Sequence, residues 1–465
     1  MIFEFNAKSV QGLPPKEQEI LGSLWKTYIA NKPKNDLKER YYDGRIPLST
    51  VNLGVALPDG LARLEIDCGW GTKAVDVLAA RSVFDGFVGV NGEDAGEINV
   101  LAAANNLVAE YKRICRDELK FGCVFATLSK AGRDGCKIRF HSPRNAAARW
   151  SGEKNRISAG FAIIDTAPDN TSSTTWTPSL INFYTDDAIW VIRRTKKGWV
   201  AEKRPHKMGR PLMEPLIWDA TTAKPFGRSR IDSPVRRLID GYVRTLANAT
   251  IGLEFATTPQ KYLLGVSDEQ FEAVTKRKFE QYVGSIITTT NNPDSGENPE
   301  FGQLSQGSIQ PHVEMLRILA TQFSAITGLS VMDTGVVNDA NPTSSDVIEA
   351  QTKSLTHLAE LLNGSNGAHL KTIGLMALAI SRNTTIEALP VEVQEIVPRF
   401  RNPATPSLAS LADAALKLAT ARPSFAQTDT FLEMVGFDAA TIRRIKGQEQ
   451  RSRGLAVLQE LEGGA

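Results

Sequence analysis

Ser233-Pro234-Val235-Arg236-Arg237-Leu238-Ile239-Asp240-Gly241-Tyr242-Val243-Arg244-Thr245-Leu246 is the stretch whose pattern organises the chain. Ser233 is a favoured N-cap, and Pro234 suits the first helical position, where a missing N–H leaves nothing unbonded. Val235, Leu238, Ile239, Tyr242, Val243 and Leu246 follow at helical spacing, which predicts a helix from Ser233 to about Phe255, about 34 Å long. Beyond it, Lys261-Tyr262-Leu263-Leu264 reads as strand, Asp268 to Tyr282 as helix, Ser285-Ile286-Ile287-Thr288 as strand, and Asn291-Asn292-Pro293-Asp294-Ser295-Gly296 as turns. Helix returns at Pro311, with Leu316, Leu319, Phe323 and Ile326 on one side, and stops at Gly328. Two amphipathic rods thus flank a small mixed insert.

On the N-terminal side, Ile20, Leu21, Leu24, Trp25 and Tyr28 predict a helix from about Lys16 to Ala30 that Pro33 stops. A short helix is expected over Thr72 to Arg81 and a longer one over Gly96 to Leu119. Gly122 to Leu128, Lys137 to Phe140, Ser158 to Ile164, Leu180 to Tyr184 and Ala188 to Ile192 read as short strands, with Ala167 to Pro178 a loop by its Thr, Ser, Asn and Pro content. After Gly335 and Asn341-Pro342, Thr343 and Asp346 match a capping box that opens a helix through Leu362. Short helices broken by Pro390, Pro398, Pro403 and Pro423 complete an α+β, predominantly helical chain.

With 465 residues, two or more structural regions are expected. Hydrophobic and charged contents of 42% and 23% place the chain with ordinary soluble proteins rather than disordered ones. No apolar run approaches the roughly 20 residues needed to cross a bilayer, and Met1-Ile2-Phe3-Glu4-Phe5 does not look like an export signal, so a cytoplasmic setting is expected. The 54 basic and 52 acidic side chains nearly cancel, which argues against a tight duplex binder without excluding DNA contact.

Chemistry is sparse. Gly69-Trp70-Gly71-Thr72-Lys73 lacks phosphate-loop spacing and reads as a turn before a helix. Cys68, Cys115, Cys123 and Cys136 fit neither a metal knuckle nor a disulfide framework and are expected as reduced, buried thiols. Cys123 with His141 is the one nucleophile and base pair to consider, and nothing local joins them. His141, His206, His312, His357 and His369 lack metal-ligand spacing. Asp186-Asp187, Asp268-Glu269 and the group Asp294, Glu297 and Glu300 read as solvated faces and loops. Arg443, Arg444, Lys446, Arg451 and Arg453 form the densest basic feature, either a solvated helix face or a phosphate contact.

Several strings occur in one order: Tyr41-Tyr42-Asp43-Gly44; Ala74-Val75-Asp76-Val77-Leu78, then Asp85-Gly86-Phe87; Pro225-Phe226-Gly227-Arg228-Ser229-Arg230-Ile231; Thr258-Pro259-Gln260-Lys261-Tyr262-Leu263-Leu264-Gly265; Ile326-Thr327-Gly328-Leu329-Ser330; and Asn341-Pro342-Thr343-Ser344-Ser345. This order resembles the portal proteins of long-tailed bacteriophages, particularly those of actinobacterial siphophages, from about Tyr41 to Leu362. Residues 129–180 and the C-terminal stretch carry no such string.

The resemblance implies a portal fold with an α+β wing at 1–230, stem helices at 231–256 and 310–327, an α/β clip at 257–309, a tunnel loop at 328–343, and a long helix with a helical crown at 344–465. It implies a non-enzymatic ring of about twelve subunits closed by head-to-tail contacts, with no cofactor, forming the DNA channel at one capsid vertex for genome packaging, retention, ejection and head-tail joining. Implied partners are double-stranded DNA, the large terminase subunit, a head-completion adaptor, the major capsid protein and its scaffold, with assembly in the host bacterial cytoplasm and no membrane.

Onto this sequence the resemblance carries a tunnel loop with Leu329, Val331, Met332, Val336, Val337, Asn338 and Asp339 toward DNA. It also carries stem charges Arg236, Arg237, Arg244, Glu314 and Arg317, clip contacts Asp268, Glu269, Asp294, Glu297 and Glu300, and the crown basic patch. The stripes Val235, Leu238, Ile239, Tyr242 and Leu316, Leu319, Phe323 would be buried between neighbouring subunits. A different head-tail connector ring component, or a cytosolic Cys-dependent hydrolase using Cys123, are the alternatives.

Overall fold

The computed structural model describes residues 5–46, 66–132, 135–169, 172–257, 261–264, 300–303, 308–336, 345–404, 408–437 and 439–462. It mixes helix and sheet and divides into two units, residues 1–341 with 354–403, and residues 342–353 with 404–465.

In chain order the first unit carries α1 (Pro15–Tyr42), α2 (Trp70–Arg81), β1 (Phe84–Val88), α3 (Glu97–Ala104), α4 (Leu107–Phe121), β2 (Cys123–Ala131), β3 (Gly135–His141), β4 (Ala146–Ser151), β5 (Arg156–Asp169), β6 (Ser172–Tyr184), β7 (Ala188–Thr195), β8 (Gly198–Pro205) and β9 (Met213–Ile217). There follow α5 (Ser233–Thr257), β10 (Lys261–Leu264), β11 (Glu300–Gln303), α6 (Gln310–Thr327), most of α7 (Ser345–Ser381), α8 (Val391–Gln394) and β12 (Val397–Phe400). The second unit begins with the first residues of α7 and continues in α9 (Leu408–Ala421), α10 (Asp429–Val435) and α11 (Ala439–Glu462).

A five-stranded antiparallel meander, ordered β4-β5-β6-β7-β8, is the largest sheet; β3-β2-β9 form a second, and β1-β12 and β10-β11 are two-stranded ribbons. One face of the meander buries Phe161, Phe183 and Trp190 against Trp25 and Tyr28 of α1. A second core joins α2, α4, α5, α6, α7 and the β2 sheet, with Leu78, Leu119, Ile239, Phe323 and Ile373 all buried.

The paired rods are present. α5 and α6 flank β10 and β11, which pair in register Leu264↔Glu300. The expected helix Asp268 to Tyr282, the strand Ser285 to Thr288 and the turns Asn291 to Gly296 lie outside the described residues, as does Thr343 of the expected capping box.

Four local expectations need correction. α1 runs through Pro33, because the proline ring faces solvent and both halves of the helix are anchored. On the far side Asn35 Nδ2 donates to Pro143 O at 3.3 Å and Lys38 Nζ to Phe121 O at 2.9 Å. The helix expected over Gly96 to Leu119 is two helices, broken at Asn105 and left-handed Asn106. The Asn105 amide pairs with the β3 backbone, donating to Cys136 O and accepting from Ile138 N, both at 2.9 Å.

Of the expected loop Ala167 to Pro178, residues 167–169 and 172–178 are instead strand, in β5 and β6, with Ala167↔Thr177 and Pro168↔Trp176 in register; the threonines of β6 are β-branched and suit a pleated ribbon. α7 continues past Leu362 to Ser381. Gly374 there lets the helix approach the β1 ribbon so closely that a Cβ would lie 3.2 Å from the Phe87 ring. The strands β4, β8 and β9 were not anticipated: β4 is alanine-rich and β8 is a charged edge strand exposed along most of its length.

Candidate functional site

The α5/α6 pair is centred on Trp70. Its indole lies between Tyr242 of α5 and Phe323 of α6, with ring centroids 4.3 and 4.6 Å away. Its Nε1–H donates to Thr334 O at 3.0 Å, beyond the end of α6. The flanking glycine is steric: a Cβ on Gly71 would lie 2.0 Å from Tyr41 O, so only glycine lets α2 begin against the end of α1. The Gly69-Trp70-Gly71-Thr72-Lys73 segment is therefore the start of α2, placed by packing.

Tyr41 and Tyr42 complete that joint. The Tyr41 hydroxyl donates to Asp240 Oδ1 at 2.7 Å and the Tyr42 hydroxyl to Asp76 Oδ1 at 2.9 Å, tying α1 to α5 and α2. Burial and these carboxylates raise both phenols, Tyr42 to about 12. Arg230, just before α5, donates from Nε to Ala74 O at 2.6 Å and from Nη2 to Thr327 O at 2.5 Å. Burial lowers its pKa to about 10. One guanidinium thus holds α2 and the C-terminus of α6 together.

Beyond α6, Ser330 caps a 3-10 turn, Val331–Thr334, accepting from Met332 N while Ser330 N donates to Asp333 Oδ2, both at 3.2 Å. Of the residues expected in a tunnel loop, Leu329 is 3% exposed and belongs to the core, Val336 packs against that core, Val331 is half-buried, and Met332 is 58% exposed. Val337, Asn338 and Asp339 lie outside the described residues. Leu329 therefore presents no side chain to a passage, because its burial is what seats the capped turn.

The expected inter-subunit stripes also require correction. Val235, Ile239, Leu319 and Phe323 are buried within the chain, and Leu238 and Tyr242 pack against the same core. Two adjacent amphipathic rods bury their apolar sides against each other before any neighbour arrives. What α6 leaves outside is a different set: Met315, Ile318 and Ile326, 43%, 52% and 52% exposed.

Arg237, Arg244 and Glu314 are exposed and Arg317 is half-buried. Arg236 instead turns back, donating to Ile231 O at 2.7 Å. Glu300 opens β11 and is exposed, whereas Asp268, Glu269, Asp294 and Glu297 lie outside the described residues. In the second unit Arg443, Arg444, Lys446 and Arg451 are exposed along α11, Lys446 pairs with Asp429, and Arg451 donates to Gly447 O at 3.1 Å. Arg453 lies on α11 as well, its side chain outside the described set.

All four cysteines are free and buried, and burial pushes the Cys123 thiol up to about 12, which removes the thiolate a nucleophile needs. His141 is held down to about 4 by burial and by Arg139 and is bonded to Thr127 Oγ1 at 3.0 Å. Among the described residues no cluster of His, Cys, Asp or Glu has the makings of a metal site. No helix among them is long and apolar enough to cross a membrane.

Glu118 is a buried acid that the sequence pattern does not single out. Glu118 of α4 is fully buried, accepting from Asn366 Nδ2 at 2.7 Å, while the same amide reaches Tyr111 Oη at 3.0 Å and Tyr111 meets Ser82 Oγ at 2.9 Å. Burial raises the carboxyl to about 8, with the Asn366 bond opposing. Sealed from solvent, the group fastens α4 to α7. Only Glu118's place on the apolar side of α4, beside Ile114, Cys115 and Leu119, signals this in the sequence.

Comparison with known proteins gives sequence relatives. The chain is 25% identical over 393 residues to the "Portal protein" of Mycobacterium phage L5, covering 81% of this chain and 77% of that one. It is 24% identical over 381 residues to the "Portal protein" of Mycobacterium phage D29, covering 79% and 75%. Among solved structures, a chain of the "Virion of native gene transfer agent (GTA) particle" aligns with 12% identity and a TM-score of 0.45 over 79% of this chain and 90% of that one. A chain of the "Neck of native GTA particle computed with C12 symmetry" gives the same values. No family profile matches the chain.

Proposed function

We propose that this phage portal protein works as the non-enzymatic subunit of a ring, of about twelve copies, through which double-stranded DNA passes at one capsid vertex. The observation that carries the reading is likeness along 81% of the chain to a protein named for that role. The order of elements supports it: an α+β region, a rod, an insert, a second rod, a capped turn and a long helix.

On this reading the wing is 1–230, α5 and α6 form the stem (231–256 and 310–327), and 257–309 is the clip, which receives the large terminase subunit and later a head-completion adaptor. Residues 328–343 form the tunnel loop, with Met332 and the segment Val337-Asn338-Asp339 toward the duplex. Residues 344–465 supply the long helix and crown, on the side of the packaged genome. The major capsid protein and its scaffold surround the wing in the virion. The near balance of 54 basic and 52 acidic groups suits sliding, since each retained phosphate contact opposes movement.

Ring closure needs a heterologous contact, and the outer face of α6 is suited to it. Met315, Ile318 and Ile326 recur at helical spacing and stay exposed in the single chain. Electron microscopy with sedimentation analysis of the purified chain tests the reading. Rings with a hole about as wide as a duplex are expected, and Ile318→Asp with Ile326→Asp should yield single folded chains. Single chains of the unmodified protein at every concentration would refute it.

A further inference from the structure

The face of the five-stranded meander turned away from α1 borders a cavity of about 600 Å³, closed by β2, β3, the segment after β8 and the C-terminal end of α7. Strand alternation creates its two-part lining. Ile189, Val191 and Arg193 project from one side of β7, and Leu180 and Asn182 from β6, opposite the side that buries Trp190, Ile181 and Phe183. Ile164, Leu212 and Ile380 extend the apolar floor.

The rim is cationic. Lys130, Arg139, Arg193, Arg204 and Lys207 all line the cavity, and no Asp or Glu does. Arg204 is engaged at 3.2 Å by Glu202, which lies outside the lining. Lys130, Arg139, Arg193 and Lys207 have no ion-pair partner among the described residues. In a chain whose charges nearly cancel, this is a local excess that an anion would neutralise.

We propose that this cavity is a docking site for an acidic, apolar-anchored peptide segment of a partner protein. Carboxylates of the segment would meet the Arg139 and Arg193 side of the rim, and an aliphatic side chain between them would enter the Val191 and Leu212 floor. No Phe, Tyr or Trp lines the site, so it lacks the stacking surface that single-stranded nucleic acid uses. The volume matches a short side-chain cluster and excludes a duplex.

Two lining residues also carry buried polar atoms without partners, Asn182 Oδ1 and His206 Nε2. His206 Nδ1 accepts from Met208 N at 3.4 Å, which leaves Nε2 as the protonated nitrogen. After rotation of these side chains, a peptide backbone supplies both the N–H and the C=O that this acceptor and donor lack. Phosphate supplies no donor when fully ionised.

The test uses the full chain and a fluorescent peptide, acetyl-Glu-Glu-Ile-Leu-Glu-Glu-amide, followed by anisotropy. Saturable binding is expected, weakened about tenfold or more by Arg139→Glu with Arg193→Glu, and about tenfold when both aliphatic residues of the peptide become alanine. The two arginines are exposed, so the variant should keep the unmodified melting curve. The proposal is overturned by no saturable binding, by equal affinity of the charge-reversed variant, or by an oligothymidylate of equal charge binding as tightly. The last result would assign the cavity to nucleic acid.

Discussion

Replacing Glu118 by glutamine changes one buried group without changing its shape, and the structure fixes both the sign and the pH window of the effect. Burial holds this carboxyl at about 8, against 4.5 for a free glutamate. Below about 4.5 both folded and unfolded chains keep the proton, so the group adds no pH dependence. Between about 4.5 and 8 only the unfolded chain has lost it, and stability falls by about 1.4 kcal/mol per pH unit. Above about 8 both states are ionised, and the accumulated cost is on the order of 5 kcal/mol.

Glutamine carries no such cost. It still accepts from Asn366, and its amide supplies a donor to a network in which Asn366 Oδ1 has no partner. Urea unfolding followed by tryptophan fluorescence suits the measurement, since all seven tryptophans lie in the first unit. The stability of Glu118→Gln minus that of the unmodified chain should rise by about 4 kcal/mol between pH 5 and pH 8. A difference that stays flat across this range within about 1 kcal/mol would refute the burial argument.

Two further outcomes follow from the same geometry. Trp70→Ala should destabilise the first unit by about 3–5 kcal/mol, because it empties the space between Tyr242 and Phe323 and removes the bond to Thr334 O; hydrogen exchange should show the amides of residues 331–336 losing protection before those of the meander. Cys123 should remain unlabelled by iodoacetamide in the folded chain at pH 8 and react on denaturation, since its thiol is pushed up to about 12 in a buried strand; rapid stoichiometric labelling of the native protein would return the hydrolase reading.

The rods were legible because each announces itself locally. Ser233 and Pro234 lie in the first turn of α5, although the cap expected at Ser233 is Asp232, whose Oδ1 accepts from Val235 N at 3.1 Å, and Gly328 in the left-handed region marks the end of α6. What a local pattern cannot say is which partner covers an apolar stripe. Val235, Ile239, Leu319 and Phe323 have the spacing of an interface and are buried inside the chain, because the two rods meet first. Pro33 and Asn105 misled for a related reason: tertiary anchors on both sides of Pro33 sustain one helix, and an amide paired with the β3 backbone divides another. The cationic cavity is invisible in sequence, since Lys130, Arg139, Arg193, Arg204 and Lys207 come from four strands and a loop, with no shared spacing to mark them.

The strings that carry the portal resemblance fall largely on one joint. Tyr41 bonds Asp240, Tyr42 bonds Asp76, Arg230 bonds Ala74 and Thr327, and Trp70, next to these strings, bonds Thr334. Gly227, in one of these strings, packs instead against the end of β9, where a Cβ would lie 2.0 Å from Trp218 O. A buried guanidinium is costly unless its donors are satisfied, so Arg230 is tolerated only while α2 and the end of α6 stay in register. The joint therefore does more than support a core. It makes the capped turn after α6 follow the rods as one piece, so a force on Met332 would be borne by α2, α5 and α6 together. Under the proposed function, a subunit that lines a passage for a moving polymer would need that stiffness where the wall meets its cargo, which would give a physical reason for these residues to cluster there.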